Sequence, residues 1–147
     1  MRSTAPLFLA ISLALAPTAH AHFTLAHPEA FGSHSTTQSK APCGDTELLY
    51  DDSTDYYVGG DAVAVITEDK SARILIRAVV GSNVEGNWTN LFPIVAQSGE
   101  GAFCEPLVPA PLEWVGRDGI IQVIQSGKEG LSYQVGSAGM RRCGISY

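Results

Sequence analysis

Glycine and proline divide this chain into short apolar segments, and this division limits the folds open to it. The 147 residues include 15 glycines and 8 prolines, and no window long enough for a helix has a convincing 3.6-residue period. Apolar and polar residues instead alternate over short stretches between turn residues, as is typical of β-strands. The sequence predicts an all-β fold, an immunoglobulin-like or fibronectin-like antiparallel β-sandwich.

The positions of the turns predict individual strands. Residues 22–28 read as an edge strand that ends at Pro28, because proline cannot donate to a β-ladder. Residues 61–67 and 72–80 read as the two strands of a hairpin around the turn 68–71. Further strands are predicted over residues 91–96, 114–115, 119–126 and 131–135. No repeat or linker interrupts this series, so a single domain is expected.

The first 21 residues have the pattern of a secretory signal peptide. Arg2 precedes an apolar run from Leu7 to Ala16, and Ala19 and Ala21 supply the small residues before a cleavage site. The run is too short to span a bilayer. We therefore expect cleavage after Ala21, a mature domain over residues 22–147, and secretion from the cell.

The charge of the chain argues against a nucleic-acid-binding protein. The net charge is −6, and the only adjacent basic pair, Arg141-Arg142, does not suggest nucleic-acid binding. The C-terminal residues lack the pattern of a lipid-anchor signal.

The cysteines and one sequon are typical of a secreted protein. Of the three cysteines, Cys43, Cys104 and Cys143, two are expected to pair in an oxidising compartment, and the sequence does not say which two. Asn87-Trp88-Thr89 is a glycosylation sequon.

Cleavage after Ala21 would make His22 the first residue of the mature chain. Its α-amine and its Nδ1 could then bind one metal ion together, and a second imidazole would complete a tetragonal set that suits Cu(II). His27 lies at an odd offset from His22 and reads as an ordinary edge residue. His34 lies in a Ser/Thr-rich loop, where two interpretations are open: a solvated loop residue, or a flexible second imidazole ligand. No serine nucleophile elbow or favoured Cys–His pair occurs, so no catalytic residue is predicted.

These pieces together resemble a known family. The matching segments are His22-Phe-Thr-Leu, Pro42-Cys43-Gly44, Gly59-Gly60, Ile74-Leu-Ile, Gly81-Ser-Asn83, Asn87-Trp-Thr-Asn90 with Phe92-Pro93, Gly99-Glu-Gly-Ala-Phe-Cys104-Glu-Pro106, Gly119-Ile-Ile-Gln-Val-Ile and Gly130-Leu-Ser-Tyr133-Gln134. In this order and spacing, the chain resembles the fungal copper-acquisition proteins that are similar to lytic polysaccharide monooxygenases. The resemblance implies a β-sandwich with a histidine-brace copper site at the mature N-terminus and, in most members, a GPI anchor at the cell surface.

Three departures from the family pattern concern the site. The second histidine of the family falls where this chain has Thr67-Glu68-Asp69, so Glu68 or Asp69 could supply a carboxylate oxygen in its place. The family's closing-strand cysteine and aspartate are also missing, because Val135 follows Tyr133-Gln134. Residues 136–142 read as an insert, and the sequence from 136 to 147 could be a gene-model artefact such as a retained intron.

Three function hypotheses follow from the resemblance and its departures. The first is a secreted, monomeric, non-enzymatic protein that binds one copper ion through His22 and exchanges it with cell-wall or copper-transport components. The second is a degenerate cell-wall or interaction module that no longer binds metal. The third is a copper-dependent polysaccharide monooxygenase, which would need a second histidine ligand.

Overall fold

A computed structural model describes residues 23–32, 37–48 and 53–143. Within these ranges the chain forms nine β-strands and one short 3-10 helix. The strands are β1 (Phe23–His27), β2 (Thr54–Tyr57), β3 (Asp61–Thr67), β4 (Ser71–Val80), β5 (Thr89–Asn90), β6 (Val95–Ser98), β7 (Gly101–Val108), β8 (Asp118–Gly127) and β9 (Gly130–Arg141). The 3-10 helix spans Leu112–Trp114. None of the described helical residues forms a helix long and apolar enough to cross a membrane.

The strands form two sheets. The first sheet has the order β1-β3-β7, and the second has the order β2-β9-β8-β4-β5, with β6 also pairing with β4. The ladders are antiparallel except the one between β2 and β9, which is parallel. The predicted all-β sandwich is confirmed, with this parallel pair as an addition that the strand pattern did not indicate.

The main core lies between the two sheets. Alternation along β3 shows how it forms, because Val63 and Val65 are 2% exposed while Ile66 between Val65 and Thr67 is 53% exposed. The second sheet contributes Ile74 and Ile76 of β4 from its inner face. Side chains of both sheets therefore meet in one apolar layer, which excludes water and stabilises the sandwich.

A second apolar cluster covers the outer face of the second sheet. It consists of Cys43, Val79, Ile120 and Val135, with Phe31, Leu48, Val84 and Trp88 packed against it. These partners come from the chain after β1 and from the connection between β4 and β5. These loop residues therefore bury part of the outer face of the second sheet.

The predicted hairpin between residues 61–67 and 72–80 is wrong. β3 pairs with β1 and β7, while β4 pairs with β5, β6 and β8. The intervening turn carries the chain from one sheet to the other. Two consecutive strands show the same alternation of buried and exposed residues whether they pair as a hairpin or lie in different sheets. The sequence pattern alone therefore did not distinguish these two arrangements.

Two further strand predictions also change. The expected strand 91–96 is replaced by β5 and β6 on either side of Pro93, which has no N–H to donate to a ladder. Trp114, expected in a strand, ends the 3-10 helix that follows Pro111. Proline is favoured at the start of a helix because the missing N–H has no intrahelical partner there.

The segment that reads as an insert is part of the fold. β9 continues from Gly130 to Arg141 and pairs with β8 from Asp118 to Gly127. Within its second half Ala138 and Met140 are fully buried in the main core. Residues 136–141, predicted to belong to an insert, therefore form sheet structure.

Candidate metal centre

The start of β1 lies beside the turn that leads from β3 to β4. Phe23 is opposite Thr67, and Thr24 is opposite Ile66, in the antiparallel ladder of these two strands. Glu68 and Asp69 follow directly after Thr67. The register thus places Phe23, the residue that follows His22 in the sequence, opposite the residue that directly precedes both predicted carboxylate ligands. His22 itself lies outside the described residues, as does His34.

The two carboxylates of the turn have different surroundings. Glu68 is exposed, whereas Asp69 is partly buried. The Nε2 of Gln125 donates to Asp69 Oδ2 at 2.6 Å. A Cβ added to Gly127 would lie 2.3 Å from the same oxygen, so the Asp69 carboxylate packs directly over this glycine. Asp69 is held in place by β8, while Glu68 projects towards solvent.

The backbone of the turn is also fixed by hydrogen bonds. The N–H of Asp69 donates to Thr67 Oγ1 at 3.1 Å. The Nε2 of Gln97, a residue that is 3% exposed, donates to the carbonyl of Asp69 at 3.1 Å. A turn held from both sides needs little reordering when a ligand binds, which lowers the entropic cost of using its side chains.

Two buried glutamines bind the first residues of β1. Gln134 of β9 accepts from the N–H of Leu25 at 2.6 Å and donates to the carbonyl of Phe23 at 3.0 Å. The Nε2 of Gln38 donates to the same carbonyl at 2.7 Å. Gln134 is 5% exposed and Gln38 is 3% exposed. These contacts tie the strand that follows His22 to the second sheet.

The sequence interpretation missed these glutamines, although their setting offered a signal. Gln122 and Gln125 interrupt the apolar strand β8, and Gln134 lies within β9, yet all are buried. Buried polar side chains are nearly always hydrogen-bonded. A glutamine within a strongly apolar strand therefore indicates that the strand meets backbone groups or polar side chains at that position.

His27 is at the other end of β1 and has a different partner. Its Nε2 lies 3.7 Å from Asp61 Oδ1, and its side chain is 37% exposed. The carboxylate of Asp61 also accepts from the backbone N–H groups of Tyr57 and Ala62. Among the residues that the structure describes, no group of three or more His, Cys, Asp or Glu side chains could hold a metal ion.

The three cysteines, all within the described ranges, are free thiols. Cys43 is buried in the outer apolar cluster beside Val135, and Cys104 and Cys143 are exposed. Burial raises the pKa of the Cys43 thiol above its ordinary value. The disulfide expected between two of the cysteines is not present in this structure. Cys43 shares the outer cluster with the buried residue Val135 of β9.

The sequon lies on an exposed loop. Asn87 is exposed, while the neighbouring Trp88 donates through its indole N–H to the carbonyl of Val84 at 3.0 Å. The guanidinium of Arg77 lies 4.9 Å from the centre of the Trp88 ring, within the range of a cation–π contact. Burial lowers the pKa of Arg77, which remains charged at neutral pH.

If His22 were the first residue of a mature chain, its two nitrogens and the carboxylate oxygens of Glu68 and Asp69 would form a mixed nitrogen and oxygen donor set. Tetragonal sites of nitrogen and oxygen are typical of Cu(II), whereas Cu(I) prefers softer ligands. Such a set would therefore fit copper in its oxidised state.

Comparison with known proteins also relates the chain to copper. The family model described as copper acquisition factor BIM1-like matches residues 20–135, a range that includes β1, the turn after β3 and Gln134. A search of curated proteins gives no match. Since the family match covers most of the chain, the protein belongs to the BIM1-like copper acquisition factor family and has a copper-related function.

Proposed function

We propose that this protein is secreted and binds one copper ion at the mature N-terminus, without an enzymatic role. In this proposal the signal peptide is removed after Ala21, and His22 binds copper through its α-amine and Nδ1. The observation that carries the proposal is the register of β1 and β3, which brings Phe23 opposite Thr67. A metal held by the residue before Phe23 would be within reach of the turn carboxylates.

Glu68 is the better candidate for the oxygen ligand. Its side chain is exposed, so a metal ion can reach its carboxylate from solvent. Asp69 would have to share or give up the hydrogen bond from Gln125, although its fixed position would cost little entropy. Asp69 therefore remains the second candidate, and substitution of each residue separates the two.

The first test is a Cu(II) titration of the protein that begins at His22, followed by electron paramagnetic resonance. We expect one bound ion per chain and a tetragonal signal with nitrogen coupling. A protein with one alanine added before His22 should bind at least tenfold more weakly, because the α-amine then belongs to a different residue and the chelate is lost. Equal affinity of the two proteins would contradict the proposal.

Carboxylate variants of the same protein assign the oxygen ligand. Glu68→Gln should weaken Cu(II) binding, and Asp69→Asn should do so less. Glu113→Gln is the matched control, since Glu113 is an exposed acid in the 3-10 helix. If the two variants of the turn and the control bind equally, neither carboxylate is a ligand.

One observation favours the alternative of a metal-free interaction module. Asp69, which lies in the segment where the resemblance places the family's second histidine, is already hydrogen-bonded to Gln125 and packed over Gly127. On this alternative the titration would show no more binding than a denatured control. The copper hypothesis predicts the opposite result from the same measurement.

A further inference from the structure

A small cavity lies at the end of the second sheet where β8 begins. Its volume is about 290 Å³. The described residues that line it are Gly81, Ser82, Asp118 and Ser137. β8 runs from Asp118 at this cavity to Gly127, over which the Asp69 carboxylate packs. A strand of this length spans about 30 Å, so the cavity is remote from the candidate metal centre.

The cavity forms where glycines flank a single carboxylate. Asp118 lies opposite Gly139 of β9. On its other side, the N–H of Gly81 donates to the carbonyl of Asp118 at 2.8 Å. A Cβ added to Gly81 would meet no heavy atom within 4 Å. Because neither neighbour has a side chain, open space remains beside the Asp118 carboxylate.

Ser137 supplies a buried hydroxyl on the same face of the sheet. It lies opposite Ile120, which is two residues after Asp118 in β8, so the side chains of Ser137 and Asp118 leave the same face. Ser137 is 2% exposed, and its Oγ has no hydrogen-bond partner among the described residues. Since buried polar atoms are nearly always hydrogen-bonded, an unpaired hydroxyl that lines a cavity points to a ligand that enters it.

The lining groups indicate what kind of ligand this is. The described lining residues carry one carboxylate, two hydroxyl groups and no positive charge. The carboxylate repels anions, and a hard cation such as Ca²⁺ takes about 6–8 oxygen ligands. A carboxylate only accepts hydrogen bonds, whereas a serine hydroxyl both donates and accepts. The ligand that matches these groups therefore has hydroxyl groups of its own and no negative charge.

We propose that this cavity binds a neutral polyhydroxy compound of the size of one sugar ring. One ligand hydroxyl donates to the Asp118 carboxylate, and a second is hydrogen-bonded to Ser137 Oγ. Asp118 and Ser82 are exposed, so the ligand enters from solvent. The volume is just below the usual range of about 300–1,000 Å³ for ligand pockets. For a ligand of about a dozen non-hydrogen atoms, we expect an affinity in the millimolar range.

Titration of the isotope-labelled protein with neutral sugars, followed by the amide shifts in nuclear magnetic resonance spectra, tests the inference. The probes are glucose, mannose and N-acetylglucosamine, and calcium chloride is the ionic comparison. We expect saturable shifts of the Gly81, Gly119 and Ala138 amides with at least one of the sugars. The absence of saturable shifts at these amides with all three sugars would overturn the inference. Saturable shifts with calcium chloride alone would assign the cavity to a cation and would also overturn it.

Two variants assign the ligand contacts. Ser137→Ala should weaken sugar binding about two- to tenfold, because a ligand hydroxyl loses its partner. Asp118→Asn should weaken it about tenfold or more, because hydrogen bonds to a charged group are stronger. The matched controls are Ser132→Ala, an equally buried serine of β9, and Glu100→Gln, an exposed acid in the turn before β7. Equal sugar affinity of the variants and their controls would contradict the inference.

Thermal unfolding distinguishes a binding role of Ser137 from a structural one. Ser137→Ala removes a buried hydroxyl that has no partner, so the thermal midpoint of the sugar-free protein should stay the same or rise. A lower midpoint with unchanged sugar affinity would show that the hydroxyl stabilises the fold, and the inference would be wrong. The titration of the unaltered protein does not depend on the folding of any variant.

Discussion

Tyr56 shows how a single side chain joins the two sheets. It lies in β2 at the edge of the second sheet and is fully buried. Its hydroxyl donates to the carbonyl of Val108, the last residue of β7 in the first sheet, at 2.7 Å. Burial raises the pKa of this phenol, and the negative charge of Asp61 raises it further. The hydroxyl therefore stays protonated, and can donate its hydrogen bond, at pH values above the ordinary pKa of tyrosine.

The variant Tyr56→Phe should lose about 1–3 kcal/mol of unfolding free energy, because the buried carbonyl of Val108 is left without its donor. Urea unfolding at neutral pH measures this loss. Tyr57→Phe is the control, since Tyr57 is 41% exposed. An equal loss in the two variants would show that the hydroxyl of Tyr56 contributes nothing specific.

The same residue predicts a dependence of stability on pH. Above the ordinary pKa of 10.0, the unfolded chain releases the phenolic proton while the folded protein keeps it. The unfolding free energy should then fall by up to about 1.4 kcal/mol per pH unit as the pH rises. Below the ordinary pKa both states keep the proton, so the stabilisation from Tyr56 is fully present there. Urea unfolding of Tyr56→Phe should show a shallower alkaline decline, and parallel curves for variant and unaltered protein would contradict the raised pKa.

At the scale of elements, the sequence predicts which residues form strands better than it predicts which strands pair with each other. β3, β4 and β8 were expected from alternating apolar residues and from glycine turns, and they form within a residue of the expected bounds. The assignment of β3 and β4 to different sheets depends on side-chain packing across the whole molecule, which local alternation does not contain. The edge position of β1 was predicted because Pro28 follows it.

The candidate site was predictable only in part for a similar reason. The candidate ligands stand out in the sequence because histidine and carboxylate side chains are common metal ligands. They are His22, Glu68 and Asp69. The contacts that hold the turn and the strand come from Gln38, Gln125 and other residues distant along the chain. Their role depends on tertiary contacts between neutral amides, and no charge pattern or metal-ligand spacing marks them.

The second half of β9 gives a prediction at the element scale. A protein ending at Val135 would lose Ala138 and Met140 from the core and the residues that pair with β2. We expect such a protein to show no cooperative thermal unfolding. A milder change, Met140→Ala, should lower the unfolding free energy by about 2–5 kcal/mol. The control is Arg142→Ala, because Arg142 is exposed.

This experiment also tests whether residues 136–147 belong to the protein. If the segment were an artefact such as a retained intron, the chain ending at Val135 should unfold as cooperatively and at the same temperature as the full chain. The family match ends at residue 135, inside the strand Gly130–Arg141. Residues 136–139 pair with β8 and residues 138–141 pair with β2, so we predict that the domain of the present chain needs this extension.

At the scale of the whole molecule, the described chain is held together by two apolar clusters and by hydrogen bonds between sheets, with all three thiols free. A reductant should therefore leave the thermal midpoint unchanged. A disulfide-stabilised fold would instead lose about 2–5 kcal/mol on reduction. Calorimetry with and without reductant distinguishes the two cases, and a lower midpoint in reductant would show that two of the cysteines pair in solution.

Thiol reactivity extends this prediction to the outer cluster. Cys104 and Cys143 are exposed and should react quickly with a thiol reagent, while Cys43 should react slowly because it is buried and its pKa is raised, which lowers the thiolate fraction. In denaturant all three should react at similar rates. Since Cys43 packs between Val135 and the loop residues that cover the second sheet, its labelling rate measures how often that cover opens. Rapid labelling of three thiols in the native protein would mean that the outer cluster is not closed.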